Sequence, residues 1–195
     1  LDIIEYLFQY YFMGRKAYFN SEEFIDSAIK IIAEEGLGAL TIAGLATRVT
    51  APVGSVYHRF PSRDALIVEL WLNIIESFQS EWLKILQTDG VKAMLFCMEW
   101  VRNHPNEARV MLLYRIDDLT SGEWPEDLKK RARKLSGELQ ESIAAFTKKQ
   151  FGRVTKENID RTFYAIHDAP MGILRRYLQD NQMPPRYVAD FILET

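Results

Sequence analysis

The chain has 195 residues, of which 48% are hydrophobic and 26% are charged, so it can form a proper core and does not have a disordered composition. The formal net charge is −3, and a single cysteine excludes an internal disulfide framework and fits a reducing cytoplasm. No run approaches the roughly 20 apolar residues that a membrane span requires.

The first twelve residues, LDIIEYLFQYYF, are mostly apolar but lack the basic start and the small-residue cleavage site of a secretory signal. The stretch from Met13 to Lys16 resembles an ordinary protein start, which suggests that residues 1–12 are an upstream extension. The alternative is a genuine helix, with one apolar face formed by Ile4, Leu7, Phe8 and Tyr11.

Beyond this segment, apolar residues recur at helical spacing and almost no segment alternates with a period of two. A first helix is expected from a Ser21 cap to Gly36, with the stripe Phe24, Ala28, Ile31 and Ile32 facing inward. Thr41 is placed to cap a second helix. Pro52 is placed at the first turn of a third helix, where a missing N–H matters least.

A long helix, capped by Ser62, is predicted from about Arg63 to Leu86. Its apolar stripe is Ile67, Leu70, Trp71, Ile74, Phe78 and Trp82. Further helices are expected at about 90–103, 106–117, 125–151, 156–180 and 186–194. Pro170 should kink or interrupt the helix that contains it. The sequence therefore predicts an all-α protein of about nine helices.

The stretch TAPVGSVYHRFPSRDAL, residues 50–66, contains features that weaken a helix. Gly54 alone costs a helix about 1 kcal/mol relative to alanine. No Asp or Glu occurs from Gly36 to Arg63, whereas this stretch contains three arginines, Arg48, Arg59 and Arg63. Two short helices joined by a tight turn match a helix-turn-helix, whose second helix enters the major groove of DNA. The alternative is a plain three-helix domain with a solvated basic face.

The segment LTIAGLATRVTAPVGSVYHRFPSRDALIVELW resembles the DNA-binding domain of the TetR family of bacterial transcription regulators. The most telling features are Thr41 opening the second helix and the pair Tyr57 and Phe60, followed by a short turn and a basic residue. The resemblance covers about 20–72. It implies a helix-turn-helix domain at 13–66 and a helical ligand-binding and dimerisation domain at 67–195.

The resemblance implies that Thr41, Tyr57 and Arg63 contact phosphates, which positions the protein without reading sequence. Residues expected near base edges are Ala51, Val53, Gly54, Ser55 and His58. Arg59 could reach a base or a phosphate, and Arg48 completes the basic face. Two alternatives remain open, since Tyr57 could belong to the core and His58 could be a solvated residue. Val56 and Phe60 are assigned to the core.

The resemblance also implies a homodimer through about 156–194, in which the last two long helices pack against their mates. Ala165, Ala169 and Gly172 would permit close packing there, and Tyr187, Phe191 and Ile192 form an apolar stripe. The alternative is that these residues form ordinary intramolecular core. A mainly apolar ligand pocket is expected among helices 67–117 and 156–168. Its predicted lining is Trp100, Tyr114, Arg115, Tyr164 and His167.

No phosphate-binding, dinucleotide-binding or nucleophile motif is present, and the histidines and the cysteine show no metal-ligand spacing. His167 and Asp168 are sequence neighbours, which point about 100° apart on a helix, so they make a poor catalytic pair. We expect no enzyme, cofactor or metal, but a cytoplasmic regulator that binds a palindromic double-stranded DNA operator and a small-molecule effector. The alternative is a helical dimer that binds a small molecule or a partner without DNA.

Overall fold

The structure is a computed structural model that describes residues 20–120 and 123–194. Within these ranges all regular structure is helical, as predicted. The two interpretations of residues 1–12, and the stretch from 13 to 16, fall outside the described residues. The helices are α1 (Ser21–Glu35), α2 (Ile42–Arg48), α3 (Val53–Arg59), α4 (Arg63–Thr88), α5 (Gly90–Asn103), α6 (Pro105–Leu113), α7 (Ile116–Leu119), α8 (Glu126–Phe151), α9 (Lys156–Phe163), α10 (Ala169–Gln179) and α11 (Val188–Leu193).

Helix α1 is capped one residue earlier than predicted, by Asn20 and not by Ser21. Asn20 is extended, and its side chain accepts a hydrogen bond from the backbone N–H of Glu22 at 3.4 Å. The Glu23 carboxylate accepts one in return from the backbone N–H of Asn20 at 3.3 Å, which completes a capping box. The prediction of Ser21 as the cap was wrong, because Ser21 already has helical geometry. The predicted inward stripe of α1 is buried.

Gly36 ends α1 with φ +88° and ψ 164°, a backbone region that only glycine adopts without strain. Residues 37–39 follow as a single 3₁₀ turn that leads to Thr41. This turn reverses the chain so that α2 packs back against α1.

Helix α4 is a single unbroken helix of 26 residues, and Ser62 caps it as predicted by accepting from the Ala65 N–H at 3.0 Å. Its N-terminal half packs against α1 and contributes the buried Leu66 and Leu70 to the core there. Its C-terminal half buries Trp82, whose indole N–H donates to the carbonyl of Ala93 at 3.0 Å. Burying one such side chain stabilises a fold by about 1.5–3 kcal/mol.

One continuous cluster of buried apolar side chains extends from Phe24 in α1 to Ile192 in α11. Buried residues from both predicted domains therefore share one core, which is continuous along α4. A smaller cluster between α4 and α8 consists of Val68, Leu72, Leu128 and Leu135.

Two predicted helices differ from those observed. The expected helix at 106–117 is two helices, because Tyr114 and Arg115 are extended and separate α6 from α7. The expected helix at 186–194 has only six residues, Val188–Leu193, so the prediction that it is long was wrong. The chain enters it through a tighter turn, in which the N–H groups of Val188 and Ala189 donate to the carbonyls of Pro185 and Arg186, three residues back.

The predicted interruption near Pro170 is present, but as a widening and not as a break. Residues 164–168 form a π-helical segment between α9 and α10, in which the N–H of Ala169 donates to the carbonyl of Tyr164. Proline cannot donate a backbone hydrogen bond, so the wider turn directly before Pro170 accommodates its ring within a continuous helical rod.

We predict opposite effects of the same substitution at two glycines. Gly137→Ala, inside α8 with open space around the new methyl group, should raise the free energy of unfolding by about 0.5–1 kcal/mol. Gly36→Ala should lower it by about 1–3 kcal/mol, because alanine is strained at φ +88°. Urea unfolding measures both, and a loss of stability in Gly137→Ala would contradict the packing described for α8.

Candidate nucleic-acid interface and ligand cavity

Helix α2 is held at its start by Thr41. The Thr41 hydroxyl oxygen accepts from the N–H of Gly44 at 3.0 Å, as the sequence predicted for a cap. A methyl group on Gly44 would lie 2.9 Å from that oxygen, so glycine keeps the cap accessible to the backbone. The hydroxyl proton of Thr41 is not used by this bond, and the residue is exposed, so it is available to donate to a phosphate oxygen.

The turn between α2 and α3 is tight and hydrogen-bonded. Thr50 adopts φ +57°, in the left-handed region, and its N–H donates to Thr47 at 3.1 Å. The next N–H, that of Ala51, donates to the carbonyl of Ala46 at 2.8 Å. These bonds fix the crossing of the two short helices, which is the geometry of a helix-turn-helix.

Helix α3 divides into a buried face and an open face. Val56 and Phe60 are buried as predicted, and the Phe60 ring packs edge-on against Phe24 of α1 at 6.3 Å. On the other side, Tyr57 is 52% exposed, which excludes the alternative that it belongs to the core. Val53, Gly54 and His58 are exposed with Tyr57, while Ala51 and Ser55 are half-buried.

Gly54 lies on the open face of α3. A methyl group built on it would meet nothing within 4 Å, so no contact inside the described structure requires glycine at this position. The absence of a side chain does leave the helix backbone open to a close approach from outside.

The three arginines of the predicted basic face all have partners within the molecule. Arg48 donates to Glu35 at 2.6 Å and to Glu34 at 2.9 Å, and the bond to Glu34 raises the pKa of the Arg48 guanidinium. Arg59 donates to the hydroxyl of Ser21 at 2.7 Å. The acid-free segment is thus not an isolated positive surface, because the last turn of α1 brings two carboxylates to Arg48.

Arg63 holds the connection between α1 and α2. Its Nε donates to the carbonyl of Leu40 at 2.7 Å, and a terminal nitrogen donates to the carbonyl of Leu37 at 2.9 Å. Leu40 directly precedes Thr41, so these bonds set the start of α2. The other terminal nitrogen of Arg63 lies 4.0 Å from the Asp64 carboxylate, so a phosphate would meet an arginine that already has an ion-pair partner.

A cavity of about 440 Å³ lies between α4, α6, α8 and the rod formed by α9 and α10. Its wall is largely apolar and aromatic, and includes Trp71, Ile75, Phe78, Trp82, Met111 and Phe163. The volume and the lining are typical of a site for a small organic molecule. Among the described residues, no three His, Cys, Asp or Glu side chains come together in a way that could hold a metal ion.

His167 lies in the π-helical segment and forms part of the cavity wall. Its ring stacks on Phe163 at 4.5 Å, with the Trp82 ring edge-on at 5.7 Å. Its Nδ1 lies 3.0 Å from the carboxylate of Asp168. The two side chains therefore meet, although the sequence predicted that they point apart. Burial lowers the pKa of His167, and the contact with Asp168 offsets part of that effect.

Of the five predicted lining residues, only His167 lines this cavity. Trp100 is buried beside it, with its ring edge-on to Phe78 at 5.2 Å, and its indole nitrogen has no hydrogen-bond partner among the described residues. Tyr114 extends toward Gly36 of the N-terminal helices, whereas Arg115 and Tyr164 are exposed. These four residues do not line this cavity, because spacing predicts a residue's face on a helix but not what that face meets.

Four other polar or small lining residues were missed from the sequence: Gln79, Asp168, Gly172 and Arg175. Gln79 is buried, and its amide donates to the carbonyl of Leu135 in α8 at 2.7 Å. Asp168, Gly172 and Arg175 are spaced i, i+4 and i+7, which places them on one face of a helix. That spacing was already visible in the sequence. All three are exposed, so the cavity opens to solvent along this face of α10.

Comparison with known proteins matches residues 24–70 to the family model of bacterial regulatory proteins of the tetR family, which confirms the resemblance drawn from the sequence. No curated protein sequence matches the chain. No helix among the described residues is long and apolar enough to cross a membrane.

Several solved structures share the fold over nearly the whole chain. The fatty acid degradation regulator FadR from Bacillus halodurans aligns with a TM-score of 0.65 at 12% identity, covering 90% of this chain and 96% of that one. FadR from Bacillus subtilis, solved in complex with stearoyl-CoA, aligns with a TM-score of 0.62 at 14% identity and the same coverage. A tetR family regulator from Shewanella sp. PV-4 aligns with a TM-score of 0.62 at 16% identity, covering 86% and 87%.

Arg63→Ala should destabilise the fold by about 1–3 kcal/mol, because it leaves the carbonyls of Leu40 and Leu37 without their charged donor. Arg48→Ala is the matched control, since it removes an exposed arginine whose ion pairs are solvated, and it should leave stability nearly unchanged. Urea unfolding of both variants measures the two changes in the free energy of unfolding. Equal stabilities of the two would mean that Arg63 does not hold this connection.

Proposed function

We propose that this chain, whose residues 24–70 belong to the tetR family of bacterial regulatory proteins, is a dimeric DNA-binding repressor that a small, mainly apolar molecule releases from a palindromic operator. The observation that carries the proposal is the open face of α3. Val53, Gly54, Tyr57 and His58 project from it within a hydrogen-bonded helix-turn-helix. The regulator would act in the cytoplasm, where it meets DNA.

The roles on the DNA face follow from side-chain chemistry. Thr41, Tyr57 and Arg63 would contact phosphates, and Arg48 and Arg59 would do so only by exchanging their present partners for a phosphate. His58, Ala51, Val53, Gly54 and Ser55 would lie against base edges, with His58 donating to a purine acceptor. Helix α3 would enter the major groove with its N-terminal residues foremost.

Release by a ligand is supported by two helices that line the cavity and also contact the DNA-binding helices. Helix α4 contributes Trp71, Phe78 and Trp82 to the cavity and begins in the helix-turn-helix unit at Arg63. Helix α6 contributes Met111 and packs against α1. The FadR structure with stearoyl-CoA supports an effector that is largely apolar. A shift of either helix would alter the separation of the two α3 helices in a dimer, which must span about 34–36 Å.

The functional test is selection of bound duplexes from a random pool, followed by calorimetry of a ligand found by thermal-shift screening. Ligand affinity should fall by about 5- to 150-fold in the presence of the selected operator, because coupling between two sites is reciprocal. Unchanged ligand affinity would rule out the release mechanism while leaving DNA binding intact.

A second candidate is a helical protein that binds the small molecule without DNA. The internal partners of Arg48, Arg59 and Arg63 favour it, since they reduce the charge available to phosphates. Affinity for random duplex DNA at several salt concentrations separates the two candidates. A regulator should bind random DNA with an affinity that falls steeply as salt rises.

His58→Ala should change base preference at one position in each half-site by about 1–3 kcal/mol, because a direct contact to a base edge is lost. Tyr57→Phe is the matched control on the same face. It removes a hydroxyl that would contact a phosphate and should weaken binding to all sequences about equally. Repeating the selection with each variant measures both effects. A uniform loss in His58→Ala would assign His58 to the phosphate contacts.

The homodimer through 156–194 is supported by exposed apolar side chains on this segment. Tyr164, Tyr187, Phe191 and Leu193 are each about half exposed or more. Light scattering should give about twice the chain mass of 22.7 kDa. Phe191→Asp should shift the mass toward the monomer, whereas Val91→Asp, an equally exposed site at the start of α5, should not. A stable monomer at micromolar concentration would contradict this interface.

A further inference from the structure

The polar groups of the cavity are few, and their arrangement restricts the chemistry of a ligand. Besides the indole N–H groups of Trp71 and Trp82, four lining side chains carry polar atoms: Gln79, His167, Asp168 and Arg175. The amide nitrogen of Gln79 is already committed to the carbonyl of Leu135. A ligand would therefore contact chiefly His167 and the two charged residues at the mouth, Asp168 and Arg175.

His167 presents a hydrogen-bond acceptor to the cavity. Its Nδ1 faces the Asp168 carboxylate at 3.0 Å, and a carboxylate can only accept, so Nδ1 carries the proton of the neutral ring. The Nε2 lone pair is then free, and this atom makes no hydrogen bond within the described parts of the chain. This acceptor is satisfied when a proton lies between Nε2 and a ligand oxygen, whether the ligand or the solvent supplies that proton.

Arg175 adds a positive charge at the opening. It lies on the exposed side of α10, one turn beyond Gly172, and has no ion pair within residues 20–120 and 123–194. Asp168, the only acid in the lining, is engaged with His167. Because the His167 ring is neutral, Asp168 keeps its negative charge, and the lining carries one charge of each sign. Arg175 is the cationic group with which an anionic ligand could pair.

We propose that the effector is a hydrophobic carboxylic acid, whose carboxyl group lies between His167 Nε2 and Arg175 and whose apolar part fills the cavity against Trp71, Phe78 and Trp82. This inference rests on the proposed function only in naming the ligand an effector. The binding site itself does not depend on DNA.

The proton balance of binding follows from this geometry. In neutral solution the free acid is a carboxylate, and His167 is neutral because burial lowers its pKa. In the complex the imidazole would lie between two carboxylates, that of Asp168 and that of the ligand, which favours the charged ring. Binding therefore takes up to one proton from solvent onto Nε2, and no covalent bond forms or breaks.

The groups that face His167 support this linkage. Helix α4 brings the rings of Phe78 and Trp82, and α9 brings Phe163, none of which titrates near neutral pH. The charged groups of the described cavity lining are Asp168, which contacts the ring, and Arg175 from α10. The charge of the ligand is consequently the main new influence on the imidazole.

The test is calorimetry on the full chain at pH 7.5 with decanoic, 4-phenylbutyric and 1-naphthoic acids, their methyl esters, and decylamine. At least one acid should bind about 10- to 100-fold more tightly than its ester, since the ester lacks the charge-assisted hydrogen bonds. Titration in two buffers of different ionisation enthalpy should show an uptake approaching one proton for the acid and none for the ester.

The variants separate the two recognition groups. Arg175→Glu should lower the affinity for the acid by about fivefold or more. Arg176→Glu changes the same net charge at the next residue, outside the cavity lining, and should leave acid affinity unchanged. His167→Phe preserves the ring stack on Phe163 and should abolish the proton uptake.

Several results would overturn the proposal: no binding by any of the acids, equal binding of acid and ester, tighter binding of decylamine, or equal effects of Arg175→Glu and Arg176→Glu. Binding of random duplex DNA by the wild-type chain, measured separately by fluorescence anisotropy, reports on the regulatory function. Failure of the acids with DNA binding intact defeats this inference alone.

Discussion

The packing of α4 is the constraint on which the rest of the structure depends. This helix runs without a break from Arg63 to Thr88, and its buried residues belong both to the packing of the DNA-binding helices and to the cavity wall. Because a close-packed interior transmits displacement and does not absorb it, the two ends of α4 cannot move independently. Under the proposed function, a ligand against Phe78 and DNA near Arg63 would therefore act on one rigid body.

A second connection runs through α1. Helix α6 lines the cavity with Met111 and packs on α1, whose last turn holds Arg48 through Glu34 and Glu35. The arginines of the helix-turn-helix cross-link it internally, and under the proposed function they would also bind phosphates. Since exposed ion pairs contribute little to stability, exchanging a carboxylate for a phosphate at Arg48 involves a small net change in free energy. Under the proposed function, this exchange would let a chain of net charge −3 present a surface suited to DNA.

The cavity combines a largely apolar interior with a few polar groups, among them the acceptor nitrogen of His167 and the opposite charges of Asp168 and Arg175. The π-helical segment matters here, because it widens the helix just before Pro170 and carries both His167 and Asp168. A wider turn changes the angle between neighbouring side chains from that of an α-helix, and the two groups meet at 3.0 Å. Local irregularities of this kind are frequent at functional sites.

Much of the fold was available from the sequence. Local signals determined the helical class, the caps at Thr41 and Ser62, the inward stripe of α4 and the interruption at Pro170, because each depends on residues within a few positions of one another. The same holds for the helix-turn-helix, whose turn chemistry and spacing are local.

Tertiary structure alone decided the partners of side chains that are distant in sequence. The bonds of Arg63 to Leu37 and Leu40, and of Arg48 to the end of α1, cross between helices and leave no periodic trace. The lining of the cavity depends on which faces of four helices converge, so aromatic spacing identified Trp82 and Phe78 as apolar but could not separate them from Trp100. Contacts within one helix turn follow from sequence order, whereas contacts between helices follow from how the chain packs, and only the folded molecule contains that information.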